Sequence, residues 1–528
     1  MTDDTAAVPA TGTSAEPSGR DPKWWTLVAV CLGVFILLLD ITIVNVALVN
    51  IQDELGASLS DLQWVIDAYA LSLAALLLTA GSLADLYGRR LVFVIGTALF
   101  MVGSIACGSA QDIFFLQASR AFQGIGGAAM FATALALIAS AFQGRDRGVA
   151  FGAFGATTGV AVAVGPVLGG VLTSGISWRW IFFVNVPICL LAIAIAVTRV
   201  KESHDPRAGR PDWIGFVTFS LALGSLVYGL IRAGQTDWTD DRVVFCLVAS
   251  AVLLVVFLVS QVVQEHPMFD LGLLRKPTFT GGLIAAFSVS ASVFSLLTYL
   301  VIYVQNELGY SAVGAGVRFL FLSGAAFVAA AVAGRLTSVV PAKWLIAPGF
   351  VVLGVGLLLI HGIKVDSSWT HLIPGLIVCG LGVGLVNTPL ASTAVGVVPV
   401  ERSGMASGIN STLRQVGIAT GIAVLGTIFS HHVADSIRDG LAGTPAASQS
   451  DRIANAVTGG QADAVISAAP AGVRDQLTAV ASSAFVDALN TITLIAMVVA
   501  FVAAACCFVL IRQKDFVQGG PEAPGSGH

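Results

Sequence analysis

Leu39-Asp40-Ile41-Thr42-Ile43-Val44-Asn45-Val46-Ala47-Leu48 closes an apolar run that begins near Trp24. About 20 apolar residues, each rising about 1.5 Å in a helix, cross the hydrocarbon core of a bilayer, so this run is long enough to span one. Asp40 then lies inside the membrane. A carboxylate costs on the order of 3 kcal/mol there on insertion scales, so it is expected to face a protein interior or a water-filled cavity and to be functional. Asp40 is read as the proton handle of a transporter.

The composition agrees. Of 528 residues, 56% are hydrophobic and 11% charged, with a mean hydropathy of +0.87. Soluble domains carry about 25% charged residues, so this is a polytopic membrane protein. The 57 glycines fit, because small residues let membrane helices approach closely. All seven cysteines lie in apolar runs, which leaves neither a disulfide framework nor metal-ligand spacing. No His-Glu-x-x-His, Gly-x-x-x-x-Gly-Lys or Gly-x-Ser-x-Gly motif occurs, so an enzyme is not expected. No basic, aromatic-interleaved surface suggests nucleic acid. No cofactor is expected beyond the proton gradient.

Apolar runs separated by polar breaks give spans at 24–46, 62–84, 91–110, 112–140, 148–173, 179–199, 212–232, 243–263, 279–303, 314–336, 343–362, 371–394, 404–430 and 485–511. Fourteen spans put both termini on one side. With the N-terminus inside, the inner loops hold most of the Lys and Arg residues, among them Arg89, Arg90, Arg145, Arg147, Arg199, Lys201, Arg275, Lys276 and Lys343. Positively charged loops stay cytoplasmic, so both termini are expected in the cytoplasm. The expected organisation is a disordered tail over 1–23, a six-helix bundle over 24–199, an inserted helix pair over 212–263, a second six-helix bundle over 279–511, and a tail over 512–528. The loop 431–484 lies outside, either as an amphipathic helical hairpin or as a floppy surface loop.

Three further stretches carry chemistry. Gly81-Ser82-Leu83-Ala84-Asp85-Leu86-Tyr87-Gly88-Arg89-Arg90-Leu91 is a tight cytoplasmic turn bracketed by glycines, where Asp85 either pairs with the arginines or caps the next helix. Span four contains Arg120-Ala121-Phe122-Gln123-Gly124-Ile125-Gly126. Arg120 lies about 12 Å below the outer surface and Asp40 about 25 Å from the inner edge of a core about 30 Å thick, so the two sit at comparable depth and are natural partners. A cation and burial act oppositely on a carboxylate's proton affinity, which suits a proton switch. A static ion pair is the plainer alternative. Span five carries Gly152, Gly155, Gly159 and Gly165-Pro166-Val167-Leu168-Gly169-Gly170, where proline removes a backbone donor and the glycines permit close packing, as a hinge requires. Span six contains the break Asn185-Val186-Pro187.

On these four motifs, in this order and spacing, the chain resembles the major facilitator superfamily, in its fourteen-span drug:proton antiporter branch, over residues 24–511. Leu39 to Leu48 matches the family's first-span signature, with Val49 where proline is usual. Gly81 to Leu91 is similar to the cytoplasmic gating motif, with Leu86 where a basic residue is common. Arg120, Gln123, Gly124 and Gly126 match the span-four motif, whose arginine is implicated in proton coupling. Gly152, Gly165, Pro166, Gly169 and Gly170 match the antiporter motif, with Ala161 replacing one glycine. The second-half echo of the gating motif, Ala333-Gly334-Arg335-Leu336, lacks its aspartate.

The resemblance implies an all-α fold of two six-helix bundles plus two added helices, rocking about a central cavity in the cytoplasmic membrane. It implies proton coupling at Asp40, Arg120 and Asp67, and a cytoplasmic gate at Gly81, Asp85, Gly88, Arg89 and Arg90. A substrate cavity is expected to use Asp40, Asn45, Asp67, Gln123, Asn387 and Arg414. Asp67 either lines that cavity or is solvated near the outer surface. Arg414 with Gln415 either binds a polar or anionic substrate group or bonds backbone at a helix break, and Asn387 with Pro389 either lines the cavity or marks a packing kink. The expected partners are a lipophilic small molecule, protons and the lipid bilayer, with the protein as a monomer. An exporter of a lipid or a dedicated metabolite, and an uptake symporter, are the alternatives on the same fold.

Overall fold

The computed structural model describes residues 22–517 except 58, 205–210, 237, 266, 338, 445–446, 460–461, 468 and 470. The tails expected over 1–23 and 512–528 therefore lie largely outside the described residues. Pro22 and Lys23 instead begin the first helix, where Lys23 Nζ pairs with Asp146 at 2.8 Å.

A bilayer offers its interior no water, so each spanning backbone must satisfy its own hydrogen bonds, and the long helices follow. In the first half these are α1 (Pro22–Leu55), α2 (Leu59–Tyr87), α3 (Arg89–Gly108), α4 (Ile113–Ala141), α5 (Gly144–Gly175) and α6 (Trp180–Arg199). An added pair follows, α7 (Trp213–Gln235) and α8 (Asp241–Val263). The second half holds α9 (Pro277–Glu307), α10 (Ala312–Leu336), α11 (Lys343–Ile360), α12 (Leu372–Gly396), α13 (Ser403–Leu441) and α14 (Ala471–Leu510). Thirteen of these are long and apolar enough to span by length and composition among the described residues. The remaining one, α5, is a continuous helix of 32 residues in the place of the fifth expected span. Together they make a multi-pass membrane protein of the expected all-α class.

Each half has its own apolar core. Val30, Leu37, Phe93, Phe100, Met130 and Phe151 belong to the first, and Phe350, Leu353, Leu357, Phe429, Phe485 and Leu489 to the second. The halves meet along α2 with α13 and α5 with α10. The added pair lies against the first of these seams: α7 packs on both α2 and α13, and α8 packs on α7 with most of its surface turned outward. Phe216, Phe219 and Leu223 of α7 share an apolar cluster with Leu78 of α2 and Met405 and Ile409 of α13. At the entry to α7, Asp212 is buried and accepts from Gly215 N, Gln261 Nε2 and Met268 N, which ties both ends of the pair together.

The stretch 431–484 is mostly helical. The helix α13 continues to Leu441 and α14 starts at Ala471, with Ser450–Thr458 forming a short helix between them. Val433, Ile437 and Leu441 recur every four residues and bury together with Ile453, Val457, Leu477 and Ala481. That period supplies an apolar face where the polar composition obscures it, so the stretch folds as a packed helical extension of the second half.

Candidate functional site

Asp40 lies 18 residues into α1 with no exposure, which requires that its charge be met by protein. Two helices meet it directly and a third supports them. Arg120 Nη1 of α4 donates to Asp40 Oδ2 at 2.5 Å. Gln123 Nε2, one turn further along α4, donates to Asp40 Oδ1 at 3.0 Å, and Asn185 Nδ2 of α6 donates to the same oxygen at 3.1 Å. Ser104 of α3 accepts from both amides, at 2.8 Å from Gln123 and 3.3 Å from Asn185.

The arginine is equally enclosed. Arg120 Nη1 also donates to Gln123 Oε1 at 2.7 Å, its Nε donates to the Val65 carbonyl of α2 at 3.0 Å, and its guanidinium carbon stands 4.3 Å from the Tyr69 ring centroid. Close approach is built into the backbone here: a Cβ on Gly124 would collide with Ser72 and the Tyr69 carbonyl, so only glycine lets α4 lie this near α2. The result is a neutral, hydrogen-bonded ion pair at the centre of the first half. Two buried acceptor or donor atoms in it, Asn185 Oδ1 and Tyr69 Oη, have no partner among the described residues and leave capacity for a rearranged network.

The structure thus brings together Asp40, Arg120 and Gln123. Asp40 and Gln123 were expected to line a substrate cavity, but in this conformation both are fully enclosed, because the Arg120 charge draws both polar groups inward. Asp67 is half-buried on α2. Asn45 falls on α1, but its side chain lies outside the described residues, as does that of Pro166 on α5. Sequence reasoning missed Ser104 and Tyr69, and treated Asn185 as a helix break. The usable signal was a polar amide inside an otherwise apolar span.

At the end of the bundle where α1 starts, the second constellation clamps the two halves. Asp85 accepts from Arg89 Nη2 at 2.8 Å and Nε at 3.0 Å. It also accepts from the backbone N–H groups of Gly404 at 2.9 Å and Met405 at 2.7 Å, and so caps the first turn of α13. Of the two roles expected for Asp85, pairing with an arginine is the one seen, at Arg89; the helix it caps is not the next one but α13, where unpaired N–H groups and the positive end of a 39-residue helix favour a carboxylate. Arg89 Nη2 completes the clamp by donating to the carbonyls of Val400 at 2.5 Å and Glu401 at 2.8 Å.

The expected tight turn narrows to Gly88 alone, because α2 continues through Tyr87 and carries Gly81 within it. A Cβ on Gly81 would collide with the Gly404 carbonyl across the seam. Gly88 has a φ of 118°, a region that disfavours any side chain, and a Cβ there would also meet the Glu202 carboxylate. Glu202 in turn accepts from the backbone of Arg90 and Leu91 at 2.9 and 3.0 Å, with Arg90 Nε 3.6 Å away.

On the opposite seam, the glycines of α5 divide their contacts. Gly152, with Gly148, faces Gly334 of α10, and Gly165 and Gly169 face Thr42 and Ile43 of α1, next to Asp40 in sequence. Gly170 meets Val313 of α10. An apolar groove of about 590 Å³ opens beside this seam, lined by Val28, Leu32, Phe35, Val160 and Phe327 among others. In the second half, Asn387 of α12 and Arg414 of α13 are joined by a 2.9 Å hydrogen bond.

Comparison with known proteins agrees with this architecture. The profile of the Major Facilitator Superfamily matches residues 30–422. The chain is 38% identical over 406 residues to the multidrug resistance protein Stp of Mycobacterium tuberculosis (strain CDC 1551 / Oshkosh), covering 77% of this chain and 75% of that one. It is 35% identical over 454 residues to the puromycin resistance protein pur8 of Streptomyces alboniger, covering 85% and 89%. Among solved structures, the human organic anion transporter MFSD10 (TETRAN) shares the fold with a TM-score of 0.57 at 14% identity, covering 91% of this chain and all of that one.

Proposed function

The chain belongs to the major facilitator superfamily, a family of transporters rather than enzymes, and from that membership we propose that it exports lipophilic drugs or antibiotics across the cell membrane in exchange for protons. The drug-export half of this reading is supported by relatives that carry the names of multidrug and puromycin resistance proteins. The proton half rests on one observation: a carboxylate in mid-membrane, Asp40, which among the described residues pairs with the buried Arg120 alone.

Protonating Asp40 would leave Arg120 enclosed without its counter-charge. Breaking a buried pair in this way costs about 3–5 kcal/mol, so the proton favours a conformation in which the pair separates and Arg120 finds water or another partner. A shift of about 5.5 kcal/mol between two states carries an equilibrium from one side almost wholly to the other, so a single proton supplies much of what alternating access needs. In the present conformation the halves are clamped at the end where α1 starts by Asp85 and Arg89; if that end is cytoplasmic, as the positively charged loops imply, the clamp suits an outward-directed or occluded stage of the cycle. Coupling the two fluxes then requires only that substrate and proton favour different states of the carrier.

The experiment is reconstitution into liposomes with an imposed pH gradient and an internal pH dye, challenged with lipophilic cations, neutral antibiotics and organic anions. Wild type is expected to move protons when a transported compound is added, and Asp40→Asn to abolish that movement. Uphill transport by Asp40→Asn at the wild-type rate would overturn the coupling reading.

A further inference from the structure

The second half contains a guanidinium whose charge is not balanced. Arg414 of α13 donates from Nη1 to Asn387 Oδ1 at 2.9 Å and from Nε to Asn410 Oδ1 at 3.4 Å. Both acceptors are neutral amides, and among the described residues no carboxylate lies within ion-pair distance of Arg414. Ser407 and Asn410 precede it by seven and four residues, which puts all three on one face of α13. On that face Asn410 Nδ2 and Ser407 Oγ are buried and have no hydrogen-bond partner among the described residues.

Buried donors without acceptors, next to a cation without an anion, are unfavourable as they stand and become favourable when an anionic oxygen arrives. Unlike the sealed Asp40 network, this cluster is not fully enclosed: Asn387, Arg414 and Gln415 are all half-buried. The unused groups here are N–H donors of a guanidinium and a carboxamide, with a hydroxyl that can also donate, a set beside a positive charge that suits a carboxylate or phenolate and disfavours a cation.

We propose that Arg414, Asn410 and Ser407 form a subsite for an anionic oxygen of the exported compound, making amphiphilic organic anions the preferred substrate class. Asn387 positions the guanidinium by holding Nη1, and the rest of the charge is left for the ligand. The inference rests on the export reading and deepens it.

The test is equilibrium binding to the purified full-length protein in detergent, without any gradient, of 1-pyrenebutyrate and of its uncharged methyl ester, read by fluorescence. Wild type is expected to prefer the carboxylate by about tenfold or more. Arg414→Gln is expected to bring the acid-to-ester ratio to about one, and Arg414→Lys, which keeps the charge but loses the planar fork, to leave a ratio between the two. Gel filtration checks that the variants remain folded, and if Arg414→Gln does not, Ser407→Ala serves in its place with an expected fall in the ratio of about threefold. Equal binding of acid and ester by wild type, or an unchanged ratio in the variants, would overturn the proposal. Because no gradient is applied, a failure here is separate from a failure of proton coupling, which the liposome assay reads.

Discussion

The two halves each carry a mid-membrane arginine, and the two are treated in opposite ways. Arg120 is 1% exposed and has an aspartate at 2.5 Å, two amides and a hydroxyl around that aspartate, and an aromatic ring beside it. Arg414 is half-buried and has two amide oxygens and no carboxylate among the described residues. The difference teaches a division of labour: the first half stores a neutral pair that a proton can break, and the second half offers an unspent charge that a ligand can use.

The largest effect that would break this comparison is on folding stability. Arg120→Gln leaves Asp40 enclosed with amide donors alone, at a cost of about 3–5 kcal/mol, whereas Arg414→Gln removes two hydrogen bonds to neutral groups, about 1 kcal/mol. Thermal unfolding in detergent should show a drop of about 4 °C for the first and about 1 °C for the second. Equal drops would mean that Arg414 is as structural as Arg120, and the comparison would fail.

A smaller effect is expected at the clamp between the halves. Asp85→Ala removes the carboxylate that caps α13 and holds Arg89, an N-cap and helix-end contribution of about 1–2 kcal/mol. Spin-label distances between Tyr87 and Glu401, one on each side of the seam, should lengthen in a larger share of molecules while Asp40-dependent proton movement is still measurable. A distance distribution identical to wild type would show that the clamp is held by packing at Gly81 and Gly404 alone.

The smallest effect belongs to the ion pair at the opposite end. Arg179 Nη1 and Trp178 Nε1 both donate to Glu54, and the Arg179 hydrogen bond holds its carboxyl below the ordinary range. A depressed carboxylate stabilises at neutral pH and loses that contribution only as pH falls through its lowered pKa, so no change is expected between pH 6 and pH 8. The pair is solvent-exposed, and Glu54→Gln should unfold within about 2 °C of wild type at neutral pH. A drop comparable to that of Arg120→Gln would show that exposure is no guide to which pair matters here.

Much of this was legible along the chain because it depends on local properties. An apolar run of sufficient length can do little in a membrane except form a helix, so the spans could be counted. The depth of Asp40 and Arg120 followed from helical rise, and their pairing from the need to neutralise both. Asn185 and Ser104 were not found, since a single amide or hydroxyl in an apolar run carries no sign of which neighbour it meets. The stretch 431–484 was obscured by its polar composition, although Val433, Ile437 and Leu441 carry the helical period that packs it.

Sequence alone determined that this is a helical membrane protein with an ionisable pair at mid-depth, because bilayer thickness, backbone hydrogen bonding and the cost of charge in lipid act on each segment separately. Only the tertiary structure decided that Asp85 caps a helix beginning at Ser403, that α7 packs across the α2–α13 seam, and that Arg120 has a carboxylate partner where Arg414 has none. Those facts depend on contacts between residues distant in the chain, and no local propensity encodes which distant group will stand opposite.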